Sequence, residues 1–312
     1  MAQSYESKVL LHVGLHKTGS TWISCWFEKN PWIAFTHKGF GGVYNPTEIC
    51  RTALNKVPRW YAISDEHLTG GRIWPEGYTS LLLRHAGFHQ GPTGIADHRK
   101  KVADQLFAMF PHATILITTR GFSSAIRSLY AQVVRIGGDQ SFLEFYNSYQ
   151  PFISDWLDLD SVISTYQNLF GPAQVVVLPF ELLAQDEDRY QQLLEQRLDL
   201  PRTPIAIGRV YPSLSRRQLA AYSRFSRLWL QPVARRLSSS KASTLYLAYA
   251  AWVVNRRWCD RLIQLSHAPG HNHPAIDVPV DIVEQFRGKA SMLANDPTYI
   301  PFKDDYLNSP TR

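Results

Sequence analysis

Val9-Leu10-Leu11-His12-Val13-Gly14-Leu15-His16-Lys17-Thr18-Gly19-Ser20-Thr21 is the stretch on which the fold turns. Its first five residues suit a short buried strand. Residues 18–29 read as the helix that follows, and a loop bounded by Gly14 and Gly19 joins the two. Strand, glycine-bounded loop and helix N-terminus together cradle an anion. The first helical turn leaves N–H groups unpaired, and the helix dipole adds to their attraction.

The two glycines are spaced as in a nucleoside-triphosphate loop, but the cation is displaced. In that loop a lysine follows the second glycine and a Ser or Thr for magnesium comes next. Here Ser20 follows Gly19, and the lysine stands back at Lys17. The loop therefore reads as built for an anion other than a magnesium-bound triphosphate. No acidic residue at a strand end beside it stands out as a metal partner.

Working outward, Trp60 to Ser64 reads as a second strand that ends in Asp65-Glu66-His67. Residues 70–94 are rich in Gly and Pro and read as a loop with short helical pieces. His98 to Phe110 has helical spacing and stops at Pro111, and Ala113 to Thr119 is a β-branched run suited to burial on both faces. A helix from about Ser123 to Val134 follows, then a helix ending at Phe170-Gly171 and a strand from Gln174 to Leu178. Strands alternating with helices predict an α/β fold: a three-layer parallel sheet with helices on both faces. From Ser213 the pattern becomes helical, aromatic and arginine-rich. The expectation is one domain over 1–312, with an α/β core at 8–205 and a basic helical lid or subdomain at 206–296. The tail after Pro297 reads as irregular.

The formal net charge is +7, an excess that favours anionic partners. It is concentrated late: ten Arg and Lys residues from Arg209 to Arg257 face no acid before Asp260. Cys25, Cys50 and Cys259 form no paired motif and read as free thiols of a reducing compartment. The first apolar run is too short for a signal-peptide core, and Leu245 to Val254 falls short of the ~20 residues that span a bilayer. A cytoplasmic protein is expected.

Thr118-Thr119-Arg120-Gly121-Phe122-Ser123-Ser124-Ala125-Ile126-Arg127-Ser128-Leu129-Tyr130 is the second informative segment. Arg120 falls just past a buried strand, where open α/β sheets bind ligands. Ser128 comes about two helical turns later, so guanidinium and hydroxyl would grip one phosphate together. With these residues in view, the chain resembles the sulfotransferases. Gly14 to Trp22 resembles that family's 5′-phosphosulfate loop, and Arg120 with Ser128 and Tyr130 resembles its 3′-phosphate motif. Phe110-Pro111, Phe170-Gly171, Pro179-Phe180-Glu181-Leu182-Leu183 and Ser213-Leu214-Ser215 match loosely, so the resemblance spans roughly residues 8–215. Gly121-Phe122 departs from it, because a short polar residue and a proline are usual there.

The resemblance implies 3′-phosphoadenosine 5′-phosphosulfate (PAPS) as sulfuryl donor, no metal, and a P-loop-like fold of the bacterial or carbohydrate-directed kind. It makes Lys17 the cation on the leaving oxygen, where charge develops during transfer. His16, Lys17, Thr18, Gly19, Ser20, Thr21 and Trp22 would line the donor, with Trp22 also readable as a packing residue. Arg120 and Ser128 would hold the 3′-phosphate, helped by Arg287-Gly288-Lys289 as the counterpart of a later basic loop. Glu66 is the expected base, His67 the alternative, and Asp65 a structural cap.

His267, His271 and His273 are spaced for a metal, but the Pro269-Gly270 loop lacks a completing ligand, so no metal is expected. The acceptor is expected to be a glycan or glycolipid hydroxyl. Nucleic acid is not expected, since no binding motif accompanies the charge. Peripheral membrane contact through the basic helical region, with Trp229, Tyr246, Tyr249, Trp252 and Trp258, is the added partner reading. Two rivals stand beside this one: a P-loop kinase of small substrates and a non-catalytic binder of anionic glycan or membrane.

Overall fold

The computed structural model describes residues 8–35, 58–70, 95–135, 137–208, 214–249 and 276–307. Five parallel strands are β1 (Lys8–His12), β2 (Ile33–Phe35), β3 (Trp60–Ser64), β4 (Thr114–Thr119) and β5 (Val175–Pro179). They lie in the order β2-β3-β1-β4-β5, which makes β1 the centre of the sheet. The helices are α1 (Ser20–Lys29), α2 (His67–Gly70), α3 (Ile95–Met109), α4 (Phe122–Arg135), α5 (Phe142–Trp156), α6 (Leu159–Phe170), α7 (Phe180–Gln185) and α8 (Glu187–Arg197). Beyond them come α9 (Arg216–Phe225), α10 (Gln231–Arg235), α11 (Ser239–Tyr249), α12 (Val280–Glu284) and α13 (Lys303–Tyr306).

Alternation along the strands sorts the core into two layers. Leu10, Ala62, Leu116 and Leu178 turn toward α1 and α8, where Trp22, Trp26, Tyr190 and Leu194 are buried. Leu11, Ile115 and Ile117 turn the other way, onto α3 to α6, with Phe145, Phe152, Trp156 and Tyr166. Both faces are covered, as the apolar run of β4 requires. The late helices belong to the same body: Leu219, Tyr222, Leu230, Ile282, Phe286 and Tyr306 all join the second layer.

Two features depart from the sequence expectation. Strand β2 was not foreseen, since three residues are too few to show a period. The tail after Pro297 is ordered: a 3-10 turn at Ile300–Phe302 leads into α13, and Tyr299, Phe302 and Tyr306 are buried.

One buried histidine knits the central strands together. His12 is fully buried at the end of β1. Its Nδ1 lies 2.7 Å from Ser64 Oγ of β3, and its Nε2 lies 3.3 Å from Thr118 Oγ1 of β4. It also explains Gly14, because a Cβ there would sit 2.5 Å from His12 Nε2. Burial drives the imidazole down to about 4, against an opposing pull from Glu66 and Asp65.

A folded-state value below the unfolded one means that stability is full above the ordinary histidine range and is lost as pH falls. Melting temperature should therefore decline as pH drops from about 6.5 toward 4. The His12→Gln variant should show a flatter profile over that window, and equal slopes would refute this account.

Candidate functional site

The carboxyl ends of β1 and β4 are adjacent, and the two segments singled out in the sequence emerge there. Loop 13–19 leaves β1 and enters α1 through Gly19, whose φ of 92° is left-handed. A Cβ at Gly19 would also press to 3.1 Å from Phe180 and Leu183, so glycine is needed for both reasons. Lys17 adopts φ 66°, a conformation that costs a side-chain-bearing residue about 1–2 kcal/mol. Surrounding bonds hold it there. Arg120 donates from an Nη to the Lys17 carbonyl at 2.7 Å, and buried Thr18 donates its hydroxyl to Leu15 O at 2.5 Å.

Arg120 is partly buried and lies over the Phe180 ring, 4.4 Å from its centroid. Its Nε donates to Ser124 at 2.9 Å. Burial lowers its pKa to about 10; Glu181 and Tyr306 act the other way, and Arg127 adds to the lowering. The Lys17 ammonium reaches Gln132 Oε1 at 3.4 Å. Ser124, Ser128 and Gln132 are four residues apart on α4 and share one face. Arg120 thus touches the first of this row and Lys17 the last, with half-buried Ser128 between them.

On the other side of the loop stands Glu66. Ser20 donates its hydroxyl to Glu66 Oε2 at 2.8 Å, and His16 Nδ1 lies 3.2 Å from Glu66 Oε1. Burial is the largest single influence on this carboxyl and pushes it up. The His16 hydrogen bond and charge, the Ser20 hydroxyl and the Lys17 ammonium together outweigh that and hold it at about 2. Glu66, the residue expected as base, therefore borders the loop. Behind Glu66, Thr69 donates to Gly14 O at 3.0 Å, and buried Arg99 donates to Thr69 O and Asp155 O, each at 2.9 Å.

Other expected residues fall differently. Trp22 is buried edge-on against Tyr190 at 5.5 Å, so its place is in the packing of α1. Lys289 donates to both Ser154 O and Ser154 Oγ, at 2.9 and 2.8 Å. That ammonium is bonded to α5. Gly288 has φ 85°, and Arg287 N donates to Glu284 O, closing a local turn. Thr21 is half-buried at the start of α1. The His67 side chain, residues 71–94 and the 267–273 histidines lie outside the described residues.

The sequence reading missed a brace behind Arg120. Glu181 Oε1 accepts from Gly121 N at 3.0 Å and from Ser124 at 3.2 Å, while Tyr306 donates to Glu181 Oε2 at 2.5 Å. Thr119 Oγ1 meets the Tyr299 hydroxyl at 2.7 Å. Gly121 is needed because a Cβ there would lie 2.6 Å from Asp305 Cβ.

No family model and no curated protein matches the chain. Among solved structures, it is similar to a sulfotransferase from Alicyclobacillus acidocaldarius, with TM-score 0.42 and 18% identity over 75% of this chain and 98% of that one. It is also similar to mouse sulfotransferase SULT7A1 complexed with PAP, with TM-score 0.34 and 9% identity over 83% and 82%. Neither likeness is strong enough to fix a family.

Replacing Gly121 by Ala should cost about 1–3 kcal/mol in denaturant unfolding, since the tail must move off β4 to admit the methyl. Unchanged stability would show that the tail does not brace this corner.

Proposed function

We propose that the protein transfers a sulfuryl group from PAPS to a hydroxyl, with a glycan or glycolipid as acceptor. The observation that carries this reading is the convergence of two cations at the end of the sheet. Lys17 sits inside the loop after β1, and Arg120, at the end of β4, is bonded to the Lys17 carbonyl. A desolvated guanidinium and a strained loop lysine suit an anionic ligand better than water does. The lysine's place before Gly19 favours a charge that develops within the loop over a magnesium-bound triphosphate.

PAPS supplies sulfur bonded to a phosphate oxygen that leaves with the bond's electron pair. Lys17 would stabilise the charge appearing on that oxygen, while the loop amides with Ser20 and Thr21 hold the 5′-phosphate. Arg120 and Ser128 would hold the 3′-phosphate. The acceptor oxygen forms the new bond to sulfur and must lose its proton. Glu66, held at about 2, is a weak base by itself. Its contact with His16 Nδ1 selects the tautomer that is basic at Nε2. We therefore assign proton acceptance to the His16–Glu66 pair, in which Glu66 positions His16. His67 keeps its place as the alternative base from the sequence. The basic aromatic helices are the ground for a glycan or glycolipid acceptor.

Calorimetry should show binding of adenosine 3′,5′-bisphosphate in preference to ATP with magnesium. Arg120→Ala should weaken that binding at least ~10-fold, the scale of a lost charge-assisted contact. In assays with radiolabelled donor, Lys17→Met should cut turnover by ~10²–10³ while the bisphosphate still binds. Preference for the triphosphate, or full turnover without the ammonium, would overturn the reading.

For the base, His16→Gln should cost ~10²–10⁴ in turnover. Glu66→Gln should cost less. A larger loss at Glu66 than at His16 would make the carboxylate itself the base.

A further inference from the structure

Away from the loop at the end of β1, the strongest unexplained feature is one stretch of surface helix. Helix α9 runs through a π-helical turn, Ser226–Leu230, into α10. Phe225, Leu228, Trp229 and Val233 stand 46%, 55%, 64% and 44% exposed along it. They are spaced three and four residues apart, so they share the outward side. Four such residues within nine positions make a patch, whereas an isolated exposed leucine would need no explanation.

The opposite side is firmly fixed. Leu219, Tyr222, Leu230 and Ala234 are buried in the core, Gln231 donates to Gly137 O at 3.0 Å, and Arg227 donates to Asp139 O at 3.2 Å. The apolar residues outside are therefore held out by a helix that is well packed beneath them.

Charge decides what covers them. Residues 214–249 carry seven Arg and Lys residues and no Asp or Glu. Arg217, Arg224, Arg235 and Arg236 are exposed on the same run of helix as the apolar patch. A second copy of this chain would set like charges against each other and is disfavoured. Aromatic and aliphatic side chains ringed by arginine suit a bilayer surface, where the apolar groups enter the headgroup boundary and the arginines meet anionic lipid.

We infer that the α9–α10 face docks on membranes containing anionic lipid, with Trp229 and Leu228 as the inserting residues. Binding of this kind is independent of the sulfuryl-transfer reading. If both hold, α10, bonded through Gln231 to Gly137 just past α4, would bring the end of α4 that carries Gln132 near the surface where a lipid-linked hydroxyl is found.

The test is cosedimentation of the full chain with vesicles of phosphatidylglycerol and phosphatidylcholine, compared with phosphatidylcholine alone. The chain should sediment with the anionic vesicles and much less with the neutral ones, and added salt should release it. A Leu228→Ser, Trp229→Ser double variant should lose about tenfold or more in vesicle affinity, as expected when two inserting side chains are removed. Its melting temperature and bisphosphate binding should be unchanged. Arg224→Glu with Arg235→Glu should abolish the preference for anionic lipid. Absence of sedimentation with either vesicle, or unaltered binding by both variants, would overturn the inference. So would a dimer in solution that the double serine variant dissociates, because that assigns the patch to a second copy.

Discussion

The hydrogen bond from Arg120 to the Lys17 carbonyl couples the ends of the two central strands, and the arrangement of the loop depends on it. With the Thr18 hydroxyl on Leu15 O, that bond opposes relaxation of Lys17 out of its left-handed conformation. Loop strain and guanidinium burial are each unfavourable taken singly. Together they leave two cationic groups pre-positioned at the sheet's carboxyl edge, so a bound anion gains without first organising its partners. The rest of the site can be traced as support for this one contact. Ser124 orients Nε, Phe180 covers the guanidinium face, and Glu181 fixes both Ser124 and the Gly121 amide.

That support reaches far along the chain. Tyr306 and Tyr299 come from the last described residues, yet they close on Glu181 and Thr119 at the end of β4. Burial raises both phenols well above their ordinary range, so they remain neutral donors at any physiological pH. On the other side, Arg99 and Thr69 fix the segment after Glu66 through backbone carbonyls. Two remote braces, one from the tail and one from α3, thus define the two walls of a single loop.

Much of this was legible in the sequence, for physical reasons. Strand, glycine-bounded loop and helix have local signatures, so β1, loop 13–19, α1 and β4 were read within a residue or two at most boundaries. Arg120 was legible from its place after a β-branched run. Gln132 was within reach of the same logic, since it extends the four-residue spacing of Ser124 and Ser128. Glu181 and the two tyrosines were not, because their roles arise from contacts across 57 to 180 positions, which no local period records. The contact of Lys289 with Ser154 is equally beyond a local reading, since it joins positions far apart in the chain.

The contest at Glu66 shows how the chemistry is divided. Burial favours a protonated carboxyl, which would be the better general acid–base group near neutral pH. His16, Ser20 and Lys17 reverse that preference and hold the charge. A carboxylate stabilised this strongly gives up basicity and gains the ability to orient its partners. One oxygen takes the Ser20 hydroxyl at the mouth of the loop, and the other faces His16 Nδ1. That division of labour is the ground for the proposed assignment of proton acceptance to His16, with Glu66 positioning it. Lys17 supplies both a charge that keeps Glu66 ionised and the cation proposed for the leaving oxygen. The proposed base and the proposed leaving-group stabiliser are therefore electrostatically linked through one carboxylate, and a change at either should be felt at the other.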